Sequence, residues 1–224
     1  KEDSGFGIQD SGKDKKSPNS KLQTPNSDEV EKFAHDSIRA IMMVRAYRVR
    51  GHLIANLDPL GIEVNAYHPE LDPASYGFTD ADMDKEIFLD GSLGIRKAKL
   101  SEILAILRQT YCGNVGIEFM HIQHPDQKNW IQKRIEGERG NYGLSTDDKK
   151  SAWNTLVEVE SFEQFLQLKY ASTKRFSAQG GDAMVPGLEA VIHTAARLGV
   201  KEIVIGMPHR GRMNVLTTVM GKPY

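Results

Sequence analysis

Residues 202–216 read EIVIGMPHRGRMNVL, and the fold class turns on how this stretch is divided. A β-branched apolar run, EIVIG, ends at a glycine. A Pro-flanked histidine and two arginines follow, and apolar residues then return at helical spacing in MNVLTTVM. This order predicts a short buried strand over 202–206, a loop, and a helix beyond it. Upstream, a helix is predicted from near Met184, with Pro186 in its first turn. Leu188, Val191, Ile192, Ala195 and Leu198 share one face of it, and Gly199 ends it. Helix, buried strand, loop, helix is the order of an α/β parallel sheet, so residues 151–224 are expected to begin an α/β domain.

The loop GMPHRGR would then lie at the carboxyl end of a parallel strand and the amino end of a helix, where ligands of open α/β sheets bind and where a helix terminus favours anions. His209 can donate a hydrogen bond or carry a proton near neutral pH, and Arg210 and Arg212 can each grip a carboxylate or phosphate with two N–H groups. The alternative is that the arginines tie the loop to acidic groups elsewhere in the protein. Gly206 and Gly211 imitate a phosphate-binding G-x-x-x-x-G loop, but the lysine and the hydroxyl that complete that motif are absent, which excludes a P-loop nucleotidase. His121 and His124 stand three apart without a third residue at ligand spacing, so no metal site is expected there.

Working back toward the amino end, Ser161 and Gln164 have the spacing of a capping box ahead of FEQFLQLKY and predict a helix start. Residues 27–150 read as mostly helical. Ser27 is a good N-cap, and Val30, Phe33, Ala34, Ile38, Ile41, Met42 and Val49 recur at helical spacing, with Arg39, Arg45, Arg48 and Arg50 on what reads as the solvated face. Asp58, Pro59 and Gly61 force a turn. KLSEILAILRQTY and DQKNWIQKRIEG are further helical segments. Residues 1–26 hold only Phe6, Ile8 and Leu22 as sizeable apolar groups and balance five lysines against four acids, so they are expected to form a disordered linker.

With 39% hydrophobic and 26% charged residues in 224, the chain can bury one good core or two modest ones. A net charge of -1 argues against nucleic acid or an anionic membrane surface as partner. No apolar run approaches the roughly 20 residues that span a bilayer, and one cysteine cannot form an internal disulfide. The chain opens on lysine and closes on VMGKPY, inside or just after a predicted helix, so it reads as a piece cut at both ends.

The strings RAYRVRGHLIANLDPLG (45–61), GIEFMHI (116–122), WIQKRIE (130–136), KRFSAQGGD (174–182) and GMPHRGRMNVL (206–216) resemble, in this order, the E1 component of the 2-oxoglutarate dehydrogenase complex. The resemblance covers residue 27 to the end and marks an amino-proximal piece of a much longer subunit. It implies that the α/β part begins a thiamine-diphosphate-binding parallel-sheet domain. It also implies an activity for the parent: decarboxylation of 2-oxoglutarate with thiamine diphosphate and Mg2+, and transfer of succinyl to a lipoyl E2 in a complex with E3. Such a parent would be a homodimer in the bacterial cytoplasm, the mitochondrial matrix being the alternative.

By the same resemblance His209 contacts substrate and is catalytic, Phe176 lines the substrate pocket, Arg175 lies against the cofactor, and Arg210 and Arg212 support the loop. Gln179 departs from the pattern, since the family usually carries an acid there; the amide keeps the hydrogen bonding and loses the charge. The Gly-Asp-Gly segment and later asparagine through which these enzymes hold magnesium lie outside the 224 residues, so the piece alone is expected to bind neither cofactor nor metal. Two other readings remain at this stage, a non-catalytic assembly fragment and the related 2-oxoadipate dehydrogenase E1.

Overall fold

The computed structural model describes residues 26–62 and 67–224. The expected linker, 1–26, lies outside the described residues except for Asn26. The chain folds as two compact units that divide between Asn141 and Tyr142.

The first unit is built on α1, Ser27–Arg50, whose N-cap position is Asn26, not Ser27. Asp28 and Glu29 occupy its first turn and Arg48 and Arg50 its last, matching the helix dipole at both ends. Its length follows the apolar periodicity, but its inner face does not. Asp36, Ala40, Met43, Val44 and Tyr47 are buried, whereas Val30, Phe33, Ile38, Ile41, Met42 and Val49 are 38–58% exposed.

The reason is polar. Asp36 on the inner face binds Arg39 and Lys85, and Arg39 also donates to the carbonyl of Gly77 (2.7 Å) and covers the Phe78 ring at 4.2 Å. Arg48 grips Glu136 through Nε at 2.6 Å and Nη2 at 3.1 Å. Two of the four arginines assigned to the solvated face are thus drawn inward by acids, and the helix is rotated accordingly.

Gly51 opens a 3₁₀ turn, Gly51–Ile54, directly against Tyr111; a Cβ there would stand 2.6 Å from Tyr111 Cβ, so only glycine permits this approach. The predicted turn at 58–61 forms, with both Asp58 carboxylate oxygens accepting backbone N–H groups, from Leu60 (2.8 Å) and Ile62 (2.5 Å). Helix α2, Leu100–Tyr111, buries Leu100, Ile103, Leu104, Leu107 and Tyr111, a regular i, i+3, i+4, i+7, i+11 stripe. Helix α3, Pro125–Glu138, starts at a proline whose missing N–H costs nothing in the first turn. His124 is its N-cap residue and His121 precedes it, so the two histidines do not share a helical face.

The sheet is a two-stranded antiparallel ladder, β1 (Glu86–Phe88) on β2 (Lys97–Lys99), with Ile87 opposite Ala98. It is the only sheet among the described residues. The expected strand at 202–206 is therefore corrected. These residues form no ladder, and Val204 is 97% exposed. A strand needs a neighbour to receive its N–H and C=O groups, and none lies beside this run among the described residues. The chain is helix-rich with a small sheet, which agrees with an α/β fragment only at that coarse level.

The second unit opens with α4, Thr146–Lys169. Its cap is Ser145, whose hydroxyl accepts from Asp148 N (3.1 Å) while Asp148 Oδ2 accepts from Ser145 N (3.0 Å). This capping box precedes the one expected at Ser161, and with the helix already running, Ser161 and Gln164 fall in its interior. Gln164 there donates to Glu160 one turn back, at 3.1 Å. Helix α5, Met184–Arg197, appears where predicted, and Gly199 follows it with φ +85°. Its predicted apolar face is open, however: Val191 is 58% and Leu198 79% exposed, and Val185 is the one buried residue of the helix. Val159, Ala178 and Val185, with Val219 packed against them, form the small core beside the candidate site.

Candidate functional site

Two loops meet in the second unit, residues 174–182 between α4 and α5 and residues 206–211 ahead of α6 (Arg212–Asn214). Backbone and side chain staple them together. Gly211 N donates to the carbonyl of Phe176 at 2.7 Å, and Arg210 Nη1 donates to the carbonyl of Gln179 at 2.5 Å. Because Arg210 reaches a main-chain oxygen, this contact is indifferent to whether an acid or an amide occupies position 179. Gly211 has φ +68°, and a Cβ on it would stand 3.1 Å from Ala178 Cβ and from Met184 Cε. Glycine serves here both for the left-handed turn and for the close approach of the two loops.

The ring of Phe176 is the centre of the arrangement. Its own φ is +52°, a conformation uncommon for a bulky residue. The His209 ring is stacked on it at 5.8 Å with 21° between planes. The guanidinium carbon of Arg212 lies 3.8 Å from its centroid, close enough for a cation–π attraction. Phe176 and His209, separated by a long stretch of chain, are therefore neighbours, and Arg212 joins them. A strained aromatic held by a carbonyl bond and two stacked partners is a preorganised surface rather than a passing rotamer.

Arg175 is placed differently. Its Nη1 reaches the carbonyl of Ala171 at 3.3 Å, and it stands between two cavities. One, of about 520 Å³, is bordered by Glu160, Glu163, Ser177, Gln179 and Asp182. The other, of about 380 Å³, is largely aromatic, with Phe162, Phe165, Tyr170 and Tyr224, and carries Lys174 and Lys222. Neither cavity is bordered by Phe176 or His209. The helix after the histidine loop is only the three residues of α6 before the backbone passes into a π turn, Val215–Val219. The expected helix-dipole attraction for an anion thus has little aligned backbone behind it.

One residue escaped the sequence reading. Glu163, on α4, accepts from Ala178 N (2.6 Å) and from Asn214 Nδ2 (2.6 Å), and also from the Ser177 hydroxyl. A single carboxylate thus fastens both loops. Its partners lie 14, 15 and 51 residues away, so no local pattern signals it. Among the described residues, no three His, Cys, Asp or Glu side chains converge in a way that could hold a metal ion. No helix among them is long and apolar enough to cross a membrane.

No protein-family model matches the chain. Curated proteins to which it is similar include dehydrogenase E1 components. Specifically, over 200 residues, 88% of its length, the chain is 52% identical to the 2-oxoglutarate dehydrogenase E1 component of Brucella anthropi. It is 51% identical over the same length to the proteins of that name from Brucella canis and Brucella suis. The chain spans about one fifth of the length of these relatives, 20% in each case.

Proposed function

We propose that the chain is part of an E1 subunit that decarboxylates 2-oxoglutarate with thiamine diphosphate and passes succinyl to a lipoyl-bearing E2, in a complex that also contains E3. The subunit acts as a homodimer in the bacterial cytoplasm. Identity of 52% along 88% of the chain carries this reading, and the meeting of His209, Phe176 and Arg212 supports it chemically.

A dicarboxylate substrate requires donors that can face a carboxylate. His209 is exposed, and its imidazole can donate to a carboxylate oxygen or move a proton to a developing charge. Phe176, stacked on that imidazole, orients it and gives it an apolar flank. Arg212, against the same Phe176 ring, adds a positive charge to the cluster.

The residues present fit thiamine diphosphate in part. Arg175, with Lys174 and Lys222 around the aromatic cavity, supplies the cations that diphosphate oxygens need. When bound, the cofactor supplies the electron sink that decarboxylation requires. Magnesium has no ligand set among the described residues, and no step here depends on it.

The test is turnover by the subunit that carries this chain, supplied with thiamine diphosphate and magnesium. Release of carbon dioxide from 2-oxoglutarate in preference to 2-oxoadipate is expected. Preference for 2-oxoadipate would reassign the substrate. Absence of turnover with either, alongside stable binding to E2, would make the chain an assembly element.

A further inference from the structure

We propose that Glu163 is a positioning residue for His209: its carboxylate sets the distance between the Phe176 loop and the His209 loop and so aims the imidazole. The proposal rests on the functional reading above for its consequence in catalysis, but its geometric content stands apart from that reading.

The observation is convergence. Glu163 Oε1 accepts from Ala178 N and from Asn214 Nδ2, both at 2.6 Å, and Oε2 accepts from the Ser177 hydroxyl. Ser177 and Ala178 directly follow Phe176, and Asn214 lies five residues beyond His209. Asn214 and Ala178 are themselves buried, at 1% and 0% exposure, so their positions are fixed by this acceptor and by packing, not by solvent. The loops are also tied by the Gly211 N to Phe176 O bond and the Arg210 bond to Gln179 O. The Glu163 carboxylate therefore sits at the base of a frame whose upper edge is the Phe176–His209 stack. One acceptor side chain that takes several donors ties them to one point, and a helix is a stiffer support than a loop. Glu163, on α4, takes three donors.

The chemistry separates this role from a merely stabilising one. An amide at position 163 can keep all three links, because its oxygen can accept from Ala178 N and Asn214 while its NH2 donates to Ser177 Oγ, a hydroxyl that also accepts. An alanine keeps none. Positioning therefore predicts rescue by Glu163→Gln and failure in Glu163→Ala, and both should show at His209 itself.

Two measurements decide it. In the complete subunit, Glu163→Ala should lower kcat/KM for 2-oxoglutarate at least tenfold at saturating cofactor, whereas Glu163→Gln should stay within threefold of the parent. Glu160→Ala is the control, since Glu160 lies one turn away, borders the same cavity and accepts only from Gln164 among the bonds described. In the same proteins, selectively labelled histidine gives the His209 Cε1–H resonance, assigned with Phe176→Leu. The ring-current shift from Phe176 should disappear in Glu163→Ala and persist in Glu163→Gln. A folded Glu163→Ala with parental His209 shift overturns the proposal. If Glu163→Ala does not fold, Ser177→Ala and Asn214→Ala, each removing one link, must each move the His209 resonance, and no movement in either overturns it. If the resonance behaves as expected but no variant or parent turns over 2-oxoglutarate, the functional reading fails and the positioning role stands.

Discussion

Removing the carboxylate at position 136 should strip the first unit of a substantial part of its stability, and the size of the effect follows from what that carboxylate holds. Glu136 Oε1 accepts from Arg48 Nε at 2.6 Å and from the Tyr111 hydroxyl at 2.7 Å, and Oε2 accepts from Arg48 Nη2 at 3.1 Å. The side chains of Arg48 and Glu136 are only 15% and 7% exposed. Burial, with the Glu136 carboxylate alongside, also pushes the Tyr111 hydroxyl well above its ordinary value, so it remains a donor at any working pH.

In Glu136→Leu the guanidinium keeps one bond, to Ser92 Oγ at 3.1 Å, and Tyr111 loses its acceptor. Stranding one member of a buried ion pair costs about 3–5 kcal/mol, and an orphaned buried hydroxyl adds about 1–3 kcal/mol. Against a typical domain stability of about 5–15 kcal/mol, the variant should lose about a quarter of its stability or more.

Arg48→Met combined with Glu136→Leu removes both charges and should recover most of that loss, giving a coupling energy of at least about 2 kcal/mol. Urea unfolding followed by far-ultraviolet circular dichroism, on the two single variants and the double, measures the cycle. A Glu136→Leu cost below about 1 kcal/mol, or additive single effects, would refute the assignment of this pair as the tie that turns α1 inward.

Other outcomes follow from the same geometry. Burial pushes the Cys112 thiol from 9.0 up to about 11, so alkylation by iodoacetamide should be slow at neutral pH; the contribution to stability is present below pH 9.0 and lost as pH rises through about 11, which alkaline melting curves would show. Burial raises the Asp36 carboxyl, but hydrogen bonds from Lys85 and Arg39 outweigh it and leave the group below its ordinary 3.8. Its stabilisation is therefore present above pH 3.8 and lost as pH falls below that value, and Asp36→Asn should remove this part of the acid transition while lowering stability at neutral pH. In the complete subunit, His209→Ala should lower kcat/KM for 2-oxoglutarate by about tenfold or more, roughly 1.4 kcal/mol. Thiamine-diphosphate affinity should change much less, and equal losses of both in a folded variant would argue against a substrate contact.

What the sequence disclosed and what it withheld separate along one physical line. Helices α2, α3 and α5 were legible because each carries its own apolar repeat or terminator: the Leu100–Tyr111 stripe, Pro125 at the start of α3, Gly199 after α5. The extent of α1 was legible for the same reason. Its orientation was not, because the face it buries depends on partners far along the chain, Lys85 for Asp36 and Glu136, 88 residues away, for Arg48. The run at 202–206 failed as a strand for a related cause: apolar β-branched residues state a preference, but a strand also needs a neighbour, and Val204 at 97% exposure has none among the described residues.

The site divides in the same way. His209 was picked out by residue type and by resemblance, Phe176 and Arg175 by resemblance alone, and the structure brings the first two together while setting Arg175 against separate cavities. The left-handed backbone of Phe176 and the three bonds to Glu163 leave no local trace, since nothing in KRFSAQGG marks φ +52° on a phenylalanine. An aromatic residue persists in such a conformation only where its surroundings determine it from several sides, here the Gly211 bond, the His209 ring and the Arg212 guanidinium against its ring, and the Glu163 carboxylate. The strain at Phe176 and the convergence on Glu163 are thus two views of one constraint: a loop forced into place so that a histidine from another part of the chain has a fixed surface to lie against.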